Sequence, residues 1–307
     1  MKIAIMGAGG VGGYFGSRLA HSGCDVHFIA RGAHGAAIRA QGLRVSSARG
    51  DLHLQNVQVS ETPQGIGPVD VVLFGVKLWD TAAAAEAIRP LIGPQTAVIS
   101  FQNGVVKDDI LQAALGAPAV AGGVCYIAAT IAAPGLIAHT GNLQKLVFGE
   151  YDGHRSERLE RLLQACQAAG IDAEISPDIR KAVWEKFVFL VGLSATTAAT
   201  RLPIGRVRSH PDARRVLQQV MEEAVAVGRA QGVPLAADFA ADRLRFCDQL
   251  PEGMTSSMAH DLERGNRLEV PWLSGDVVRR GAELGVPTPA NAVLHGILAP
   301  HAEGRRA

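Results

Sequence analysis

The sequence is poor in cysteine and has no excess of charge of either sign. Four cysteines occur in 307 residues, at positions 24, 125, 166 and 247. They lie far apart and form no C-x-x-C pair, which disfavours a disulfide framework or a zinc site, so we expect reduced, partly buried thiols and no metal. The 30 Lys and Arg residues balance 29 Asp and Glu residues, which leaves a formal net charge of +1. This charge gives no reason to expect nucleic acid or an anionic membrane as a partner.

Long apolar runs, internal repeats and low-complexity linkers are absent as well. The most apolar window, residues 187–193, is far shorter than a helix that spans a bilayer. The chain enters a predicted strand at residue 2, with no signal peptide before it, and we expect a soluble, cytoplasmic protein. With 48% hydrophobic and 19% charged residues, a chain of this length can bury sizeable cores and fits two domains.

The first thirty-one residues carry the most informative pattern. Residues 2–6 form a short apolar run, GAGGVG follows at positions 7–12, and good helix formers continue to residue 20. A strand, Gly-x-Gly-x-x-Gly and a helix in this order predict a dinucleotide-binding turn, whereas glycines alone would indicate only a turn. Gly7 would allow the tight turn, Gly9 the approach of a pyrophosphate, and Gly12 close packing of the helix on the sheet. The predicted cofactor-binding turn consists of Gly7, Ala8, Gly9, Gly10, Val11 and Gly12.

The end of the second predicted strand, residues 25–30, indicates which dinucleotide binds. A site for NAD usually has Asp or Glu here, which binds the ribose 2′-hydroxyl. This chain has Arg31 instead, and no acid occurs between Val26 and Asp51. A carboxylate repels a 2′-phosphate, whereas a guanidinium binds it through charge-assisted hydrogen bonds. The sequence therefore favours NADP(H), with an exposed loop arginine as the alternative interpretation.

Two further apolar runs end in polar side chains. Residues 69–76 are followed by Lys77, and residues 97–101 by Gln102, Asn103 and Gly104. Ligands of open α/β sheets lie outside the carboxyl ends of the strands, so we expect Lys77 and Asn103 to contact the cofactor. A solvated lysine at a strand end and an ordinary Asn-Gly turn are equally good interpretations.

The rest of the first half alternates between helix and strand patterns. Helices are predicted at residues 32–42, 81–88 and 156–169, and strands within 43–60 and at 119–130, 135–140, 145–148 and 171–175. His139 lies on one of these strands and is interpreted as structural.

Beyond Ser176 the strand-like runs disappear. Ser176 as N-cap and Pro177 at the first helical position predict the start of a helix that ends near residue 199. Four more helices are predicted at residues 212–231, 236–250, 256–267 and 271–284. We predict an α/β fold, with an N-terminal Rossmann-type doubly wound parallel sheet that binds NADP (residues 1–176) and an all-α C-terminal substrate domain (residues 177–307).

Lys186 is the strongest candidate for a proton donor. A Rossmann domain with a helical domain predicts hydride transfer to a substrate held between them, and carbonyl reduction needs an acid near the developing alkoxide. None of the ten histidines occurs in a setting that singles it out. The turns after Lys186 are apolar, so its ammonium is expected to be partly desolvated and a better acid near neutral pH. A lysine on a solvated helix face is the alternative.

Together these motifs resemble the ketopantoate reductase (2-dehydropantoate 2-reductase) family. The residues that carry the resemblance are the glycine turn with Arg31, Lys77, QNG at 102–104, Trp184-x-Lys186, and TSSM at 255–258 with Glu269 twelve residues beyond Ser257. The resemblance implies reduction of 2-dehydropantoate to (R)-pantoate with NADPH, in the pantothenate branch of coenzyme A synthesis. It also implies a role for each polar side chain: Lys186 as general acid, Asn103 holding this lysine and the cofactor, Ser257 on the substrate carboxylate, and Glu269 on the substrate hydroxyl or the lysine.

Three positions depart from the family pattern. Leu190 and Ser194, one and two turns after Lys186, and Met254 stand where the family commonly has substrate-binding asparagines. Ser194 is then the one polar substrate contact left among the three. Because an apolar wall discriminates weakly between substrates, a bulkier or less polar 2-oxo acid fits equally well. A non-enzymatic NADP-binding sensor is a further alternative, and a homodimer through the helical half stays open.

Overall fold

The computed structural model describes residues 1–305, which divide into two compact units. The first unit comprises Met1–Asn103 and Lys107–Ala182, and the second comprises Gly104–Val106 and the chain from Val183 onward.

The first unit is built on a ten-stranded sheet with helices. Its strands are β1 (Lys2–Met6), β2 (Asp25–Ile29), β3 (Leu43–Ser47), β4 (Leu52–Leu54), β5 (Gln58–Ser60), β6 (Val71–Phe74), β7 (Ala97–Ser100), β8 (Val120–Ala133), β9 (Leu136–Gly149) and β10 (Asp172–Ile175). Its helices are α1 (Gly10–His21), α2 (Gly32–Gln41), α3 (Thr81–Ala87), α4 (Val106–Leu115) and α5 (Glu157–Ala168).

The order of the strands puts the predicted cofactor residues on one edge of this sheet. The order is β4-β3-β9-β8-β7-β6-β1-β2-β5, with β10 beside β9, and every pair from β5 to β8 along this order is parallel. The central strands are buried on both faces, as their continuous apolar runs predict. We call the segments that follow β1, β2, β6 and β7 (residues 7–12, 30–31, 75–77 and 101–103) the carboxyl edge.

The predicted strands at 135–140 and 145–148 are in fact one strand, β9. It forms a long antiparallel hairpin with β8, in which the register shifts between the pairs Ile127–Gln144 and Ala129–His139. The strand continues because residues 140–143 bulge out of the ladder, with Gly141 at φ +76°. The ring of His139 holds this bulge, since Nε2 lies 3.0 Å from Leu143 O and Nδ1 lies 2.8 Å from Ser47 Oγ. These contacts are those of a structural histidine.

Every regular element among the described residues of the second unit is a helix. Its helices are α6 (Ile179–Thr200, which begins in the first unit), α7 (Ile204–Ser209), α8 (Pro211–Ala230), α9 (Phe239–Gln249), α10 (Ser257–Arg264), α11 (Ser274–Leu284) and α12 (Pro289–Leu298). The predicted fold class is confirmed. Three helices went unpredicted, namely α4, α7 and α12.

The start of α6 differs from the prediction. Ser176 lies three residues before the first helical residue, too early for the N-cap; its N–H donates to Phe148 O (2.8 Å), and its hydroxyl accepts the N–H of Asp178 (3.2 Å). The helix begins at Ile179, and Asp178 Oδ1 accepts the N–H of Lys181 at 2.9 Å. An acidic residue at this position also stabilises the helix, because its negative charge lies at the positive end of the helix dipole.

Helix α6 is the one described helix long and apolar enough to cross a membrane by length and composition alone. Within the structure 67% of its most apolar stretch is buried, as in the core helix of a soluble protein.

Candidate active site

The glycine turn has the backbone geometry that a dinucleotide site needs. Gly7 has φ +96°, and a Cβ here would lie 2.9 Å from the carbonyl carbon of Gly75. A Cβ on Gly12 would overlap Gly7 O and lie 2.8 Å from Ile5 Cγ2, so only glycine lets α1 approach β1 this closely. These two glycines therefore keep the turn and the helix in place.

Gly9 is different, because a Cβ built on it meets no atom within 4 Å. It is the N-cap of α1 in an extended conformation, and the first turn of the helix contains no acidic residue. The unpaired N–H groups and the positive end of the helix dipole thus lie next to open space. A phosphate group fits such a place.

Gly10 and His34 make contacts at this turn that no sequence pattern predicts. A Cβ on Gly10 would overlap Ala129 O, so this residue is fixed by strand β8. His34, in the first turn of α2, donates from Nε2 to Ala8 O (2.9 Å) and accepts at Nδ1 from the N–H of Gly135 (3.1 Å). Burial lowers the pKa of His34, which favours the neutral ring that this pair of bonds requires.

Arg31 follows β2 and pairs with an acid from a distant part of the chain. Its Nη2 lies 3.4 Å from Oδ2 of Asp80, 49 residues further on, and the two side chains are 70% and 41% exposed. An exposed pair of this kind contributes little, so the guanidinium can change partner at small cost. The sequence around Arg31 gives no sign of Asp80.

Lys77 and Asn103 are the remaining predicted cofactor-binding residues at the carboxyl edge. Lys77 is exposed after β6, and its Nζ lies 5.5 Å from the ring centroid of Trp79. Asn103 is half-buried and follows β7, immediately after the buried Gln102. Because β2, β1, β6 and β7 are adjacent and parallel, the structure brings the glycine turn, Arg31, Lys77 and Asn103 to one edge of the sheet.

In the second unit, Lys186 lies half-buried on a firmly packed part of α6. Trp184 and Phe187, on either side of it, are buried and in edge-to-face contact, with ring centroids 5.4 Å apart. Helix α8 approaches Trp184 so closely that a Cβ on Gly228 would lie 2.7 Å from the indole. The backbone that carries Lys186 is therefore well fixed.

Ser194 lies two turns further along α6 and is 1% exposed. Within residues 1–305 its hydroxyl has no hydrogen-bond partner. The two other positions that depart from the family pattern are more exposed than Ser194: Leu190 is half-buried and Met254 is exposed.

The two neighbouring serines at the start of α10 have separate surroundings. Ser256 is buried, accepts the N–H of Ala259 (3.1 Å) and lies 2.9 Å from the hydroxyl of Thr197, so it caps α10 and connects it to α6. Ser257 is exposed. Glu269 is half-buried and precedes a short 3-10 turn, in which its carbonyl accepts the N–H of Trp272. Within the described chain no group of three His, Cys, Asp or Glu side chains is arranged to hold a metal ion.

Comparisons with known proteins agree over the whole length of the chain. Residues 3–153 match the family model of ketopantoate reductase PanE/ApbA, and residues 178–302 match the model of its C-terminal part. The 2-dehydropantoate 2-reductase of Mesorhizobium japonicum is 33% identical over 96% of each chain, and the uncharacterized oxidoreductase YkpB of Bacillus subtilis is 31% identical over 97% of this chain and 98% of its own. A crystal structure of a PanE/ApbA family ketopantoate reductase from Ralstonia eutropha is 40% identical over 98% of both chains, with a TM-score of 0.90. The chain therefore belongs to the ketopantoate reductase family and is an oxidoreductase that acts on CH–OH and C=O groups.

Proposed function

We propose that this protein reduces the keto group of 2-dehydropantoate to give (R)-pantoate, with NADPH as cofactor and Lys186 as general acid. One observation carries the proposal: a chain that matches both family models also has Lys186 half-buried on a firmly packed helix. Residues 1–176 would bind the cofactor and residues 177–307 the substrate. We place the protein among the soluble, cytoplasmic enzymes of the pantothenate branch of coenzyme A synthesis.

The carboxyl edge fits a phosphorylated dinucleotide. The open space at Gly9, next to the N-terminus of α1, suits the pyrophosphate. Arg31 would bind the 2′-phosphate, because its exposed pair with Asp80 is weak enough to be exchanged for a doubly charged group. Lys77 and Asn103 would hold the parts of the cofactor that lie outside β6 and β7. When bound, the cofactor supplies a hydride.

The residues of the second unit would hold the substrate and the proton. The Lys186 ammonium would hold a proton at the keto oxygen and neutralise the developing alkoxide, an effect of about 10²–10⁴ in rate. The exposed Ser257 hydroxyl would donate to the substrate carboxylate, and Glu269 would accept from the substrate hydroxyl or from Lys186. Ser194 is assigned to substrate binding only through its place on α6, and its burial means that a substrate has to displace neighbouring atoms to reach it.

A second candidate function is the reduction of a different 2-oxo acid. It is favoured by the half-buried Leu190 and the exposed Met254, which replace amide groups with apolar surface. A site that hydrogen-bonds a hydroxyl rejects analogues without it strongly, whereas an apolar wall does not. The preferred acid would then carry a less polar or bulkier side chain.

A spectrophotometric screen distinguishes the two candidates. NADPH oxidation is followed with 2-dehydropantoate, with 2-oxoisovalerate, which lacks its hydroxymethyl group, and with phenylglyoxylate. We expect the highest kcat/KM with 2-dehydropantoate. Negligible turnover of 2-dehydropantoate beside good turnover of another acid would overturn the first candidate in favour of the second.

A further inference from the structure

Lys107 is a buried lysine with a hydrogen-bond partner in each of three directions. Its side chain is 1% exposed, which is rare for a lysine. The ammonium donates to Ser100 O (3.0 Å), to Gly123 O (3.2 Å) and to the carboxylate of Asp108 (2.8 and 3.0 Å). Because an ammonium has three N–H groups, these partners use all of them.

The ammonium connects β7 and β8 at the point where their own ladder stops. The paired residues of these strands end at Ile99 and Ala121. Beyond that point Lys107 reaches the carbonyl of Ser100 on β7 and that of Gly123 on β8. A Cβ on Gly123 would lie 2.8 Å from Ser100 O, so the two strands approach closely here. Lys107 thus replaces the missing ladder bonds just beyond the paired residues, at the carboxyl end of β7 and near the start of β8.

A second set of buried bonds continues from β7 to β6. The hydroxyl of Ser100 donates to Gln102 Oε1 at 2.9 Å. Nε2 of Gln102 then donates to Val76 O and to the hydroxyl of Thr81, both at 2.8 Å. The network therefore joins the carboxyl ends of β6 and β7 to the first residues of β8, and it fixes the residues directly before Asn103 and Lys77.

Stability alone does not explain a buried ion pair in this place. Replacing such a pair with apolar side chains of similar volume is often neutral or stabilising, because removing two charges from water is costly. Burial raises the pKa of the Asp108 carboxyl even with Lys107 beside it, in line with this cost. The pair instead gives the strand ends a fixed geometry, since three directed bonds meet at one nitrogen.

We propose that Lys107 is a positioning residue for the reduction. By fixing the spacing between the carboxyl end of β7 and the neighbouring residues of β8, it places Asn103 for its contact with the cofactor. This inference rests on the role proposed above for Asn103.

The same two strands carry a matched control at their other ends. Arg158 donates from Nη1 to Thr96 O (3.1 Å) and to Pro118 O (2.9 Å). Thr96 directly precedes β7, and Pro118 lies in the short 3-10 turn before β8. It pairs with Glu150 through two bonds of 2.8 Å, and the two side chains are 13% and 12% exposed. This pair also connects β7 and β8, but at the edge opposite to Asn103.

The test compares Lys107→Met/Asp108→Asn with Glu150→Gln/Arg158→Met in the full-length protein. For the Lys107 variant we expect a lower Tm, because the carbonyls of Ser100 and Gly123 lose their donor. We also expect a kcat lower by about 10- to 100-fold and a Kd for NADPH higher by roughly 3- to 10-fold, because a small displacement of a positioned group is costly. For the control variant we expect a similar loss of Tm, because the carbonyls of Thr96 and Pro118 lose their donor, with kcat and Kd within about twofold of the wild type.

The Asn103→Ala background shows whether Lys107 acts through Asn103. There the Lys107 and Asp108 substitutions should change kcat and Kd by less than about twofold further, because coupled residues are not additive. Wild-type kcat and Kd in the Lys107 variant, additive losses with Asn103→Ala, or failure of the variant to fold would each overturn the inference. If the wild type reduces none of the 2-oxo acids, the proposed function fails instead, and the Kd values for NADPH still decide the role of Lys107.

Discussion

Substitution of Gly9 by alanine separates cofactor binding from folding within the glycine turn. The backbone of Gly9 is extended, at φ −71° and ψ −161°, and a Cβ there meets no atom within 4 Å. Alanine adopts this conformation, so the folded state should be unchanged or more stable by about 0.4–1 kcal/mol. The added methyl group fills the space assigned to the pyrophosphate. Loss of one hydrogen bond to a charged group costs about 1.5–3 kcal/mol, which corresponds to a roughly 10- to 150-fold higher Kd for NADPH.

Gly12→Ala is the matched control, because its methyl group meets the protein itself. It would overlap Gly7 O and lie 2.8 Å from Ile5 Cγ2, and backbone atoms can yield only by moving α1. Overpacking of this kind costs about 1–3 kcal/mol, of which the better helix propensity of alanine recovers up to about 1 kcal/mol. The Tm of this variant should therefore fall, whereas that of Gly9→Ala should not.

Fluorescence titration with NADPH and thermal unfolding followed by circular dichroism measure the two effects. A wild-type Kd for Gly9→Ala would show that no phosphate lies at the N-terminus of α1. A larger loss of Tm in Gly9→Ala than in Gly12→Ala would refute the assignment of the two glycines to different tasks.

Three further predictions concern the reaction, the choice of cofactor and pH. Lys186→Met should bind NADPH normally and lose about 10²–10⁴ in kcat with the preferred 2-oxo acid, and full activity would show that another group donates the proton. Arg31→Ala should weaken NADPH binding by about 1.5–3 kcal/mol and leave NADH nearly unaffected, whereas equal losses in the two titrations would show that Arg31 does not bind the 2′-phosphate. Burial lowers the pKa of both His27 and His34, so the unfolded chain binds protons more readily than the folded one. Their contribution to stability is therefore complete above about pH 6.5 and is lost as the pH falls below it, which should appear as a drop in Tm between about pH 7.5 and 5.5 that is smaller in His34→Gln.

Local sequence patterns predicted the order of helices and strands well where each element has its own pattern of apolar residues. The apolar runs of β1, β6 and β7 and the change to helices after residue 176 follow from burial and periodicity, which act over a few residues. The helices α4, α7 and α12 were harder to predict. Each has at most ten residues, and α7 lies between prolines that read as breaks in the sequence.

Contacts between distant segments could not be predicted from these patterns. Asp80 lies beside Arg31 only because β1 pairs with both β2 and β6, which brings the segments that follow these two strands close together. His34 supports Ala8 and Gly135 through bonds that span 26 and 101 residues. Side-chain contacts of this kind depend on the finished topology and leave no periodic signal in the chain. The roles assigned to Lys186, Ser257 and Glu269 stay predictions until they are measured.

The neighbouring serines of α10 have a practical consequence for redesign of the enzyme. Ser256 caps the helix and contacts the Thr197 hydroxyl on α6, whereas the neighbouring Ser257 is exposed. Libraries that vary residue 257 can therefore test which side chains bind the carboxylate that all 2-oxo acids share, with little change in Tm.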